Sequence, residues 1–167
     1  MKSAGNNNSP HRRATTEQRN PRSKGLDKKP VGKLVDLFIK EEICVNRALK
    51  AARSEITVAC TLISERLRKG GRLFYLGAGT SGRLGVLDAS EMPPTFNVSP
   101  DLIQGLIAGG PPALTKSQEG AEDNRQAAGK ELRKRALSAR DVVVGITANG
   151  HAPYVMGGLH YAKQKKF

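Results

Sequence analysis

One stretch constrains this chain more than any other: Leu73-Phe74-Tyr75-Leu76-Gly77-Ala78-Gly79-Thr80-Ser81-Gly82-Arg83. An apolar run breaks into glycines and hydroxyls, and the residues after it can open a helix. The pattern predicts a buried strand ending in a tight loop, with unpaired N–H groups and the positive end of a helix dipole facing whatever the loop holds. Thr80 and Ser81 add two hydroxyls. The natural guest is a phosphate.

The rest of the chain supplies the frame for such a loop. Spacings of three and four residues (Leu34, Leu37, Phe38; Ile56, Ala59, Cys60, Ile63, Leu67) predict helices between about 33 and 69. A break is expected near Ala52–Ser54 with Ser54 as cap, and Gly70-Gly71 is expected to end the second helix. Strands are expected at 72–76, 102–108 and 141–146. Helices are expected at 82–90, 113–118 and 124–137, the first stopped by Met92-Pro93-Pro94. Pro153 opens a final, Lys-rich helix (Lys163, Lys165, Lys166). Alternating strands and helices predict an α/β fold, a three-layer parallel sheet with helices on both faces and its ligand crevice at the carboxyl ends of the strands. Three strands are few for such a sheet, so an incomplete fold is expected.

Charge points first towards nucleic acid, because the 167 residues carry a net +13. Residues 1–33 hold nine basic and two acidic side chains, so +7 of that excess sits in a polar arm. No aromatic interleaving or nucleic-acid motif accompanies it. The division expected is a basic disordered or extended arm at 1–32, a helical region at 33–70 and an α/β core at 71–167. Residues 1–15 are expected to be disordered and 16–30 extended, with turns at Asn20-Pro21 and Lys24-Gly25. No apolar run reaches the roughly 20 residues of a membrane span. Cys44 and Cys60 form no metal spacing and are expected as free buried thiols of a cytoplasmic protein.

The glycine loop lacks the Gly-Lys-Ser/Thr of a Walker motif. Gly77, Gly79 and Gly82 give a G-x-G-x-x-G spacing, but the second strand ends in Ala-Gly-Gly-Pro-Pro, with no carboxylate at its end to hold a ribose. A Thr-Ser pair suits a single phosphate. Carboxylates follow two strand ends: Asp88 and Glu91, then Glu119, Glu122 and Asp123. A pair of them suits acid–base work where burial tunes one, although a solvated helix end is the common fate of such residues. His11 and His160 are expected at the surface, and His151 lies in the loop after the third strand.

Gly77-Ala-Gly-Thr-Ser-Gly-Arg-Leu-Gly-Val-Leu-Asp-Ala-Ser-Glu91, then Pro93-Pro-Thr-Phe96, Gly105-Leu-Ile-Ala-Gly-Gly110, Glu119-Gly-Ala-Glu-Asp-Asn124 and Thr16-Glu-Gln-Arg-Asn-Pro-Arg-Ser23 resemble the N-acetylmuramic acid 6-phosphate etherase family. That family is similar to the glucokinase regulatory protein, and both contain the sugar isomerase (SIS) phosphosugar-binding fold. The resemblance implies a lyase of amino-sugar catabolism and peptidoglycan recycling. It would remove D-lactate from N-acetylmuramic acid 6-phosphate by elimination across C2–C3 and hydration, leaving N-acetylglucosamine 6-phosphate. It implies Glu91 as the acid on the departing lactate and Glu122 as the C2 base. It implies Gly79, Thr80, Ser81, Gly82 and Asn149 around the phosphosugar, with no metal and no cofactor. A homodimer is implied as the assembly, with neither nucleic acid nor membrane as partner.

Two departures stand out. The family's Ala-Ser-Gly-Arg-Thr-Pro-Tyr loop reads Ala148-Asn149-Gly150-His151-Ala152-Pro153-Tyr154 here, and family members continue with further strands and a C-terminal helical region. The resemblance therefore implies a truncated member. Two other readings remain: a non-catalytic phosphosugar-binding SIS module that regulates a partner, and a nucleic-acid-associated protein driven by the arm.

Overall fold

The computed structural model describes Thr16 and residues 18–165. The expected disorder of residues 1–15 and the placement of His11 and Lys166 lie outside the described residues. The chain divides into two compact units, Met1–Asn46 and Arg47–Phe167.

In the first unit the arm is not extended. It forms two short 3-10 turns, Pro21–Ser23 and Leu26–Lys28. Asn20 caps the first turn by accepting the Arg22 N–H at 3.0 Å. Arg22 then pairs with Glu41 (Nε–Oε1 2.6 Å), and Asn20 Nδ2 donates to the same carboxylate at 3.1 Å. Glu41 belongs to α1 (Val31–Ala51), none of whose residues is buried. Arg22 and Glu41 are part-exposed, so this clasp contributes of the order of 1 kcal/mol or less.

In the second unit α2 runs Arg53–Arg68. The break at Ala52 falls where the sequence predicts it, but Ser54 is not the cap: its hydroxyl donates to Glu55 Oε2 at 2.7 Å, and Ala52 occupies the cap position without a side-chain bond. The far end matches the glycine expectation. Gly70 takes φ +76°, its N–H donates to Leu67 O, and the Gly71 N–H donates to Arg66 O, closing the last turn.

The core is a three-stranded parallel sheet ordered β2-β1-β3, with β1 at Leu73–Gly77, β2 at Ile103–Ile107 and β3 at Val142–Ile146. In register, Tyr75 lies between Gly105 and Val144, and Leu76 between Leu106 and Gly145. The period-2 alternation sends the two rows to opposite faces. On one face lies α3 (Gly79–Phe96), so close that a Cβ on Gly105 would meet the Val86 Cα at 2.5 Å. On the other lie α4 (Ala127–Lys134) and α5 (Pro153–Gln164), where a Cβ on Gly145 would meet Val155 at 2.5 Å. Phe74, Leu76, Leu132 and Val155 are fully buried there, each contributing roughly 1.5–3 kcal/mol. The expected α/β architecture with helices on both faces is therefore present, on an open three-stranded sheet.

Several expectations need correction. α3 does not stop at Met92 but continues to Phe96. Pro93 and Pro94 fall in its last turn, where proline's fixed φ is helical and only two bonds are lost. Asn97, at φ +52°, then closes the helix by donating to Pro93 O. The expected helix at 113–118 is only a 3-10 turn at Pro111–Leu114, and the one at 124–137 shortens to α4. Neither thiol is buried: Cys44 is half-buried and Cys60 exposed.

At the amino end of the sheet, Asp141 is the buried charged residue among those described. Its oxygens accept from the Arg72 N–H (2.9 Å), Arg72 Nη2 (2.8 Å) and the Ser138 N–H (2.8 Å). Burial opposes its ionisation, but these hydrogen bonds win and hold its carboxyl below the usual range. This latch joins the entries of β1 and β3.

Candidate phosphosugar site

At the carboxyl end of β1 the chain turns directly into α3. Ala78 is extended, with no side-chain cap, and the first helical bond runs from the Gly82 N–H to Ala78 O at 3.3 Å. The N–H groups of Gly79, Thr80 and Ser81 precede that bond and have no helical acceptor. Gly79 takes φ +54°, a backbone state that favours glycine. Gly77 and Gly82 serve a different purpose: a Cβ on Gly77 would lie 2.5 Å from the Gly82 N, and one on Gly82 2.6 Å from the Ile107 side chain. The G-x-G-x-x-G spacing thus closes a strand onto a helix and leaves three donors at its start.

A cleft of about 290 Å³ opens beside this turn, lined by Gly79, Arg83, Ser117, Glu119 and Glu122 among others. It lies past the ends of β1 and β2, where open α/β sheets hold ligands. Glu122 belongs to a 3-10 turn, Ala121–Asp123, entered through the left-handed Gly120. Arg83 projects from the first turns of α3, and its Nε donates to Leu114 O at 2.9 Å. The cleft therefore brings together helix-start N–H groups, a guanidinium and two carboxylates. An anionic oxygen suits the first two, and a proton acceptor suits the others.

Not every candidate reaches it. Gly79 and Glu122 line the cleft; Gly82 is buried behind it. Thr80 is exposed and Ser81 half-buried on the first turn of α3, with Thr80 on a neighbouring groove. Glu91 is exposed twelve residues further along α3, an axial rise of about 18 Å from Gly79. Glu91 is not among the residues that line the cleft holding Glu122. Asn149 lies in the exposed loop after β3, where its Oδ1 accepts the His151 N–H at 3.0 Å. The sequence reading missed Arg83 as a cleft residue. Its signal was present, a cation directly after the last glycine of the loop.

Among the described residues no cluster of His, Cys, Asp and Glu is arranged to hold a metal ion, and no helix is long and apolar enough to cross a membrane.

A strand-loop-helix turn at the carboxyl end of a parallel sheet is a common anion site of α/β folds, and the family comparison narrows the class. The model of the glucokinase regulatory protein N-terminal SIS domain matches residues 55–163. The chain belongs to this SIS-domain family. Among individual relatives it is similar to the N-acetylmuramic acid 6-phosphate etherases of Prochlorococcus marinus strain MIT 9303 (57% identical over 89% of this chain and 47% of the relative) and Gloeobacter violaceus (59% over 89% and 48%). The etherase of Crocosphaera subtropica is 52% identical over 90% of this chain and 49% of its own. The chain spans about half the length of the curated relatives it matches.

Proposed function

We propose that this chain carries the SIS domain of an N-acetylmuramic acid 6-phosphate etherase, with its arm at 1–32 and the domain from residue 33 onward. The observation that carries the proposal is the cleft in which Glu122 lies beside the open N–H groups of the β1–α3 turn. The 6-phosphate occupies the turn, accepting from the Gly79, Thr80 and Ser81 N–H groups and the Ser81 hydroxyl, with Arg83 opposite its charge. Glu122 then faces the sugar ring and removes the C2 proton, which the neighbouring aldehyde of the open-chain sugar acidifies. The electron pair forms the C2–C3 double bond as the C3–O bond breaks. Glu91 protonates the departing lactate oxygen, and water adds at C3. Each carboxyl contributes about 10²–10⁴ in rate by acid–base catalysis. The reaction as proposed calls on no metal or nucleotide. It belongs to amino-sugar catabolism and peptidoglycan recycling in the cytoplasm.

The separation of Glu91 from the cleft leads to a second element of the proposal. The working unit is a homodimer in which α3 of a second copy supplies Glu91. Support comes from the apolar side chains left exposed on α3 (Leu84, Leu87, Phe96) and α2 (Ile56, Val58, Leu62), which a second copy would cover. Nucleic acid and membrane are not partners in this reading.

The test is release of D-lactate from N-acetylmuramic acid 6-phosphate by the purified chain. Glu91→Gln abolishes lactate release while phosphosugar binding remains. Glu122→Gln is also inactive, but mixing the two variants restores about a quarter of wild-type activity, because half the dimers then hold one intact site. Full activity in Glu91→Gln would remove the acid assignment, and no recovery on mixing would remove the shared site. The alternative, a non-catalytic phosphosugar-binding module that regulates a partner, is favoured by the loop after β3, where Asn149 spends its Oδ1 within the loop. Saturable binding without any lactate release selects it.

A further inference from the structure

A second and larger groove, of about 600 Å³, runs along the open edge of β2. Val86 of α3, Leu106 and Ile107 of β2, and Leu114 form its apolar walls. β2 pairs with β1 on one side only. Leu102 O and the Ala108 N–H bond to β1, so by alternation the backbone groups of Gly105 face the unpaired edge. Tyr154, the first buried residue of α5, closes the floor.

The Tyr154 phenol is the informative group. The residue is 1% exposed, yet its hydroxyl has no hydrogen-bond partner among the described residues. Burial, reinforced by the charge of Glu131, pushes the phenol up to about 12, so it stays protonated at neutral pH and is a donor lacking an acceptor. Such a group carries a desolvation cost that an acceptor removes. The rim is cationic. Glu131 is shared by Lys134 (3.0 Å) and Arg135 (2.7 Å), and Arg135 also donates to Gln104 at 3.1 Å. Lys130, exposed on the same helix, adds a further positive charge at the mouth.

From this arrangement we infer that the β2-edge groove is a ligand site separate from the cradle cleft, built for a small amphipathic anion. The ligand has an apolar body against Val86, Leu106 and Ile107, an acceptor oxygen for the Tyr154 hydroxyl, and a negative group towards Lys130. Ala121 is the residue that lines both this groove and the cradle cleft.

The test uses two probes on the 167-residue chain, 6-hydroxy-2-naphthoate and 2-naphthoate, which differ by the oxygen offered to Tyr154. Amide chemical shifts are followed by two-dimensional NMR. Saturable shifts are expected at Gly105, Ile107, Gly109 and Lys130, with the hydroxylated probe binding about fivefold more tightly. Tyr154→Phe is expected to keep the fold and its melting temperature, to bind 2-naphthoate unchanged and to lose the preference between probes. Lys130→Glu is expected to weaken both probes. Absence of saturable shifts in the groove, shifts confined to Leu84, Leu87 and Phe96, or a preference that survives Tyr154→Phe overturns the assignment. So does a clear fall in melting temperature of Tyr154→Phe, which would mean that the hydroxyl already has its partner.

Discussion

The two ends of the parallel sheet solve opposite problems with the same backbone. At the amino end the buried carboxylate is fully engaged: the Asp141 oxygens are occupied by Arg72 and Ser138. At the carboxyl end the first turn of α3 leaves three N–H groups open, and its start depends on a left-handed glycine. Satisfied polar groups rigidify a fold, whereas open ones wait for a ligand. The lesson is that the amino end carries stability and the carboxyl end carries recognition, so substitutions at the two should separate cleanly.

The largest effect belongs to the amino end. Asp141→Ala removes the counter-ion of the part-buried Arg72 guanidinium and the acceptor of the Arg72 and Ser138 N–H groups, and is expected to cost about 3 kcal/mol, the lower part of the range for breaking a buried pair. Chemical denaturation reads the loss. Binding of the phosphosugar by the molecules still folded is expected to be unchanged, and a parallel loss of affinity would break the separation of the two ends. Acid sharpens the point. The Asp141 carboxyl titrates lower folded than unfolded, so its stabilisation is complete above the unfolded value of about 4 and disappears as pH falls through the folded value. The wild type is expected to lose stability below about pH 4 more steeply than Asp141→Asn, and equal slopes would show that the latch is not the group responsible.

Smaller effects are expected at the carboxyl end. Gly79→Ala meets no steric obstacle, but its left-handed backbone costs about 1–2 kcal/mol. Relaxation of that turn would also turn the N–H groups away, so affinity is expected to fall with it. Ser81→Ala is expected to leave stability within about 0.5 kcal/mol while weakening the phosphosugar by about 1–2 kcal/mol, read by calorimetry. A Ser81→Ala protein that is destabilised but binds normally would place Ser81 on the structural side of the comparison.

Much of this division could be read in the sequence, for physical reasons that differ by region. The glycines at 77, 79 and 82 announce the turn because close backbone approach and a positive φ leave few alternatives. The apolar runs give β1 and β3 to within a residue. The continuation past Pro93-Pro94 is not legible in the sequence, because each proline gives up an N–H bond to the preceding turn, and only the structure shows the helix closing beyond them through the Asn97 N–H on Pro93 O. The 113–118 segment has too few residues for helix nucleation, and only its first two residues join the 3-10 turn Pro111–Leu114. The Asp141 latch was invisible, since it joins residues almost seventy apart that only the sheet register aligns.

The central claim is that the carboxyl end of the sheet grips a sugar by its phosphate. Titration calorimetry of the chain with N-acetylmuramic acid 6-phosphate, set against unphosphorylated N-acetylmuramic acid, tests it most directly. The account predicts saturable binding that needs the phosphate and weakens in Ser81→Ala. Equal affinity for both sugars, or none for either, would contradict it.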